Sequence, residues 1–223
     1  MREKVLFCGA VVTFLVTGCA SLQERAKKQL DAGNFVEAEA LYARAVAQHP
    51  ENLEAQDGLK KARSGVIDRQ LIEVRKARQA GSPDQALDLL LSVVDREKAW
   101  KYFPGSQVGY TQNEETDLAF PVFSGKIRNA TDAKHPLLAQ SLFNKYSAVF
   151  SDDSVVKKTS ALNQQIQASG KASCQQFHSQ EKKSLPYFSD FVQRYCAHWG
   201  QELDDDDTDD VKLADLYNDV SFS

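Results

Sequence analysis

The sequence predicts an all-α fold, and three observations carry that prediction. From Ser21 to about Leu91 the chain is dense in Ala, Leu, Glu, Lys, Gln and Arg, the residues that lose least on entering a helix. Apolar residues recur at helical spacing: Ala38, Leu41, Tyr42, Ala45 and Val46, then Ala86, Leu89, Leu90, Val93 and Val94. Finally, Gly33-Asn34 and Gly81-Ser82-Pro83 stand just ahead of these two runs, as the tight turns of helical hairpins do.

Residues 19–99 form the first helical region. Asn52 to Ala80 contains no proline and only Gly58 and Gly65, so it reads as one long helix or two abutting ones. Ser82 is a suitable N-cap, with Pro83 at the first helical position where its missing N–H costs nothing. Residues 100–135 read as an irregular, aromatic-rich segment. Gly105, Gly109, Pro121, Gly125 and Asn129 interleave with Trp100, Tyr110, Phe120 and Phe123, and no helical period is apparent. Such aromatics either fold back as a cap or form a recognition surface.

Helices return over 136–203. Pro136 opens one with Leu137, Leu138, Leu142, Tyr146 and Val149 along a face. Ser151-Asp152-Asp153 supplies a cap and first-turn acids for the next, through Val155, Leu162 and Ile166. Its continuation from Gly170 to Lys183 is more polar. Ser184-Leu185-Pro186 opens a third, with Phe188, Phe191, Val192, Tyr195 and Trp199 on a narrow stripe. Residues 204–223 read as an acidic linker and tail. Their aspartate run lacks the glycine and closing glutamate of a calcium loop, and Val220 to Ser223 alternates like the start of a strand.

Ala26, Gly33, Asn34, Phe35, Glu37, Ala38, Tyr42, Ala45 and Pro50 together resemble the tetratricopeptide repeat. Small residues let two helices approach, the aromatic fills the gap between them, and proline stops the second helix. Gly81, Ala86, Leu90 and Val93 look like a second, weaker copy, with Val93 where a small residue belongs. Gly33 and Gly81 are further apart than the usual period of about 34 residues. The resemblance implies a partner-binding concave face lined by first helices, which here would include Lys28, Gln29 and Asn34.

At the N-terminus, Met1-Arg2-Glu3-Lys4 is charged and Val5 to Val16 is an apolar run of signal-peptide length, too short to span a bilayer. Leu15-Val16-Thr17-Gly18-Cys19 resembles the lipobox of bacterial lipoproteins. The resemblance implies a signal peptide over 1–18 and lipidation of Cys19. Ala20 and Ser21 lack the aspartate that retains family members at the inner membrane, so the implied address is the outer membrane, facing the periplasm. The whole chain carries 27 Lys+Arg against 31 Asp+Glu. Without Arg2, Lys4 and Glu3 the mature chain has 25 against 30. That balance argues against nucleic acid and makes acyl chains, not a polybasic patch, the expected membrane contact.

Of the four cysteines, Cys174 and Cys196 are left once Cys8 and Cys19 are assigned to the signal and the anchor. An even pair in an oxidising compartment is expected to form a disulfide that staples two neighbouring helices. The alternatives are a Cys2His2 metal site with His178 and His198, or two free thiols. No nucleophile elbow, phosphate loop, dinucleotide fingerprint or His-Glu-x-x-His motif occurs, so neither a catalytic residue nor a cofactor is expected.

These features lead to a non-catalytic adaptor, anchored to the envelope through Cys19, with an envelope protein as its partner. A second expectation is a cell-wall factor or enzyme activator gripping glycan with the aromatic segment. A third is a purely structural or truncated lipoprotein.

Overall fold

A computed structural model describes residues 21–102, 105–151, 153–180 and 188–200. The lipobox, Cys19, the acidic run and the terminal residues expected to alternate like a strand lie outside the described residues. Among those described there are eight α-helices and no strand, so the fold is all-α. The helices are α1 (Leu22–Asp31), α2 (Phe35–Gln48), α3 (Leu53–Gln79), α4 (Pro83–Trp100), α5 (Ser106–Asp132), α6 (Pro136–Tyr146), α7 (Asp153–Gln180) and α8 (Phe188–His198). A single 3-10 turn, Ser147–Phe150, follows α6. No helix among the described residues is long and apolar enough to cross a membrane.

Four helices stop in the same way. Gly33, Gly81, Lys101 and Lys134 all have positive φ, and in each case the next residue's N–H reaches back to a carbonyl of the last helical turn. Asn34 N to Gln29 O is 2.8 Å, Ser82 N to Ala77 O 2.9 Å, Tyr102 N to Glu97 O 3.0 Å and His135 N to Ala130 O 2.8 Å. This closure satisfies the orphan carbonyls of a helix end and reverses the chain. Glycine enters it without a Cβ clash; the two lysines do not. Ser82 does occupy the N-cap of α4, with Pro83 inside the first turn, but its side chain makes no capping hydrogen bond.

The chain divides into two compact units, with the boundary inside α3 between Val66 and Ile67. In the first, α1, α2 and the opening half of α3 share a core of Ala26, Ala38, Tyr42, Ala45, Ala55 and Ala62, flanked by Leu22, Leu30, Leu41, Val46 and Leu59. Alanines dominate because they let helix axes approach closely, and two aromatic rings use α3's glycines for the same purpose. The Tyr42 ring lies against Gly58 and the Phe35 ring against Gly65, so closely that a Cβ at either glycine would fall inside the ring.

The second unit is built from α3 after Val66 and from α4 to α8, around a larger core with Phe123, Phe150, Leu87, Leu90, Ile127 and Ile166 fully buried. Phe123 stacks on Phe150 at 4.6 Å between centroids. Phe120 meets Phe150 edge-on at 5.5 Å.

The expected irregular segment at 100–135 is corrected here. Trp100 ends α4, and Ser106–Asp132 is one 27-residue helix. Its buried face runs Thr116, Ala119, Phe123, Ile127 and Ala130, steps of three and four that are helical. Pro121 removes one backbone donor, but Pro121 and Asp117 lie on the exposed side, where the freed Asp117 carbonyl meets water. Burial of the opposite side outweighs the helix-breaking residues. Trp100, Tyr110, Phe120 and Phe123 accordingly lie on helices: Phe123 is core, Trp100 and Phe120 are half-buried, and Tyr110 stands out at 74 % exposure. The glycan-gripping expectation rested on an irregular segment. One residue of the expected α6 stripe, Leu138, is also exposed.

The C-terminal pair matches its expectation. Cys174 on α7 and Cys196 on α8 are joined by a disulfide with Cα atoms 5.3 Å apart, and both residues are fully buried. Beside it, Phe177 packs edge-on against Phe191 and Tyr195 at 5.7 and 5.1 Å. Trp199 lies flat over Gly170, which stays inside α7 because the indole occupies the space a side chain would need.

Candidate functional site

The residues expected to meet a partner, Lys28, Gln29 and Asn34, sit at the α1–α2 turn. Lys28 is exposed in the last turn of α1. Asn34, the N-cap position of α2, donates from Nδ2 to Gln29 Oε1 at 2.8 Å, so these two polar groups satisfy one another at the surface. The fold brings Gln29 and Asn34 together and leaves the Lys28 ammonium in solvent. Opposite the turn, Asn52 ties the unit's far end. Its Nδ2 donates to Gln23 Oε1 at 2.9 Å, and its Oδ1 accepts from the Ala55 N–H at 3.0 Å, capping α3. Arg63 on α3 pairs with Glu39 on α2 at 3.1 Å, both largely buried. Burial raises the pKa of the Tyr42 phenol, and the carboxylates Asp31 and Glu54 add to that rise.

The strongest electrostatic feature was not legible in the sequence. Glu115 on α5 is buried, its carboxylate held by two guanidinium groups from α3. Arg75 Nε donates to Oε1 at 2.9 Å; Arg78 Nε donates to Oε2 at 2.8 Å, with a further bond from its terminal nitrogen to Oε1 at 3.1 Å. Burial alone would push the Glu115 carboxyl up; the Arg78 and Arg75 hydrogen bonds together outweigh it and hold the group below its ordinary range. Arg75 also reaches Glu114 at 3.3 Å at the rim. Both oxygens of Glu115 accept from guanidinium groups, so this carboxylate braces α5 against α3.

Glu97 on α4 is the opposite case. Burial raises its pKa, and the only counterweight is Gln112 on α5, which donates to Oε2 at 2.8 Å. Its other oxygen and the Gln112 carbonyl oxygen are buried without a hydrogen-bond partner among the described residues. Further along, Asp88 accepts from Lys145 Nζ at 2.8 Å and from the Tyr146 hydroxyl at 2.7 Å, bonds that lower its pKa and tie α4 to α6. Lys126 reaches Asp84 at 2.9 Å, tying α5 to α4.

A shallow groove of about 410 Å³ runs along α3 in the second unit, lined by Arg69, Gln70, Ile72, Glu73 and Lys76. Lys76 and Glu73, one turn apart on α3, pair at 2.7 Å, and Ile72 adds exposed apolar surface.

Among the described residues no three His, Cys, Asp or Glu side chains converge to hold a metal ion. The Cys2His2 alternative fails on its sulfurs, since both cysteines are consumed by the disulfide and cannot serve as thiolate ligands. His198 packs its ring edge-on against Trp199 at 4.8 Å, and burial lowers its pKa.

No family model, curated protein or solved structure matches this chain. What it does must therefore follow from its own residues. Arg75, Arg78, Glu115, Glu97 and Gln112 escaped the sequence reading because nothing in their spacing marks them. The one available signal was two arginines three apart on a helix, Arg75 and Arg78, in a chain that also carries an adjacent Glu114-Glu115 pair.

Proposed function

We propose that this chain is an envelope lipoprotein, anchored through acylated Cys19, that acts as a non-catalytic adaptor for another envelope protein through tetratricopeptide-like helices. The observation that carries the reading is a hairpin with small-residue faces beginning just after a lipobox-like Leu15–Cys19. α1 and α2 meet through Ala26, Ala38 and Ala45, and Tyr42 wedges against α3 at Gly58. The buried disulfide supports a compartment that oxidises thiols. The absence of an aspartate after Cys19 supports the outer membrane, facing the periplasm. The partner surface proposed is the turn end of the first unit, with Lys28, Gln29 and Asn34.

The test is photo-crosslinking in intact cells from positions 28 and 34, with an exposed position on α7, Lys157, as control. The adaptor reading expects one discrete envelope protein captured from 28 or 34 and not from 157. Capture of no protein from either position refutes it. Mass spectrometry of the purified N-terminal peptide tests the anchor separately, since an unacylated Cys19 overturns it.

A further inference from the structure

Glu97 holds the end of α4 in two ways. Its backbone carbonyl accepts from the Tyr102 N–H at 3.0 Å, closing the helix, while its side chain reaches across to Gln112 on α5. At the far end of the same helix pair, Lys126 and the exposed Asp84 are tied at 2.9 Å. The tie at Glu97 differs in being buried, and its hydrogen bonds do not balance. Gln112 Nε2 donates to Glu97 Oε2 at 2.8 Å. Glu97 Oε1 and Gln112 Oε1 are both buried, and neither has a hydrogen-bond partner among the described residues.

With the carboxyl ionised, both of these oxygens are acceptors and neither can satisfy the other. Each then carries the cost of a buried bond left unmade. One added hydrogen changes the count. A protonated carboxyl is a donor, and an acid and a primary amide already joined by one N–H···O bond close a ring when the acid O–H reaches the amide oxygen. We propose that uptake of one proton by Glu97 closes its pairing with Gln112 into a two-bond clasp, Oε1–H donating to Gln112 Oε1, and that loss of the proton opens it, so that the α4–α5 turn is a proton-operated joint.

The surroundings favour that uptake. Burial raises the Glu97 pKa, with the Gln112 hydrogen bond opposing it and no neighbouring charge contributing. The charged groups on the three helices concerned are engaged elsewhere or face solvent. On α4, the Arg96 guanidinium lies over the Trp100 ring at 5.3 Å and Lys98 is exposed. On α5, Glu114 and Glu115 are paired with Arg75 and Arg78 of α3, where Arg69 is exposed. Glu97 thus has no cation to hold it ionised. The joint does not depend on the anchor at Cys19 and goes beyond the adaptor reading, since it gives the second unit two states.

The test is hydrogen–deuterium exchange of the full chain, read by mass spectrometry at about pH 7.5 and about pH 4.5, the lower value being one at which a carboxyl with a raised pKa is mostly protonated. Rates are corrected for the intrinsic pH dependence of amide exchange. Peptides covering 93–100 and 106–114 report the joint, and peptides of α1 and α2 are the reference. In the parent, protection of the joint relative to the reference should rise at least about threefold at the lower pH, as expected of one added hydrogen bond. Glu97→Gln, whose amide supplies the missing donor at any pH, should be protected at both. Glu97→Met, which removes the buried charge without supplying a donor, should stay unprotected at both. A parent joint equally protected at the two pH values, as a water bonded to both oxygens would leave it, overturns the proposal. So does a Glu97→Met chain as well protected as Glu97→Gln, since relief of the buried charge would then be the whole effect.

Discussion

Gly170→Ala should destabilise this protein, although replacing a glycine inside a helix ordinarily stabilises it. The ordinary gain is about 1 kcal/mol, from lower backbone entropy in the unfolded chain. At Gly170 a methyl group would fall within the Trp199 indole, on the Cδ2, Cε2 and Cε3 atoms at the centre of the ring system. Trp199 is only 1 % exposed and so cannot swing aside into solvent. Forcing extra volume into a packed core costs typically up to about 3 kcal/mol. The net effect is a loss of roughly 2 kcal/mol, or about 4–8 °C in Tm for a chain of this size.

Gly125 provides the control. It is also inside a helix, α5, but apart from its chain neighbours and its own helical backbone nothing lies within 4 Å of where its Cβ would be. Gly125→Ala should therefore raise Tm by about 2–4 °C. Thermal melts by circular dichroism on the oxidised protein measure both. The double variant Gly170→Ala with Trp199→Leu should lose at least about 1 kcal/mol less than the two single losses added, because the smaller side chain vacates the contested space. If Gly170→Ala raises Tm as Gly125→Ala does, the indole is not where the packing places it and the reasoning is wrong.

Four further outcomes follow from other contacts. Cys174→Ser should lower stability by about 3 kcal/mol, the chain-entropy value for a closed loop of this length; urea melts with and without reductant should show the same loss in the parent protein and none in the variant. Glu115→Gln should cost roughly 2 kcal/mol at pH 7, because two guanidinium groups lose their shared anion. Since that carboxyl is held below its usual range, its contribution is fully present above the ordinary carboxylate pKa and disappears as pH falls through the lower folded value, so the variant and parent should converge in acid. Glu97→Gln should act with the opposite sign: its raised pKa means a penalty present at neutral pH and relieved as pH falls through that raised value, so the variant should be more stable by about 1 kcal/mol at pH 7, with the difference shrinking towards the ordinary carboxylate range. Lys134→Gly should add about 1 kcal/mol by removing a Cβ from a left-handed residue, and a melt that falls instead would contradict the turn geometry.

The helical architecture was legible because its signals are local. The stripes of α2 and α4 and the Gly33 and Gly81 turns are written within single helical turns, and the disulfide followed from the even pair of cysteines left outside the N-terminal run. Where α5 was concerned, the sequence misled. Its buried face is filled partly by Glu115, Thr116, Ser124 and Thr131, so the apolar period that announces a helix is diluted there, while Tyr110 and Leu118 put apolar residues on the exposed side. A buried carboxylate belongs on such a face only once two arginines from another helix are known to reach it, and they lie about 40 residues away. Similarly, Gly58 and Gly170 read as weak points of their helices until the rings that occupy them are seen.

The link between α7 and α8 has a consequence for how damage to this protein would be detected. Cys174 and Cys196 bracket every residue that joins the two helices. A protease that cuts anywhere between them releases nothing, because the C-terminal piece stays covalently attached through sulfur and Trp199 stays seated over Gly170. Such a nicked chain would run on a non-reducing gel with the intact one and separate only after reductant is added. Proteolysis of the C-terminal hairpin would thus pass unnoticed while the surroundings stay oxidising, and would become a loss of α8 when they turn reducing.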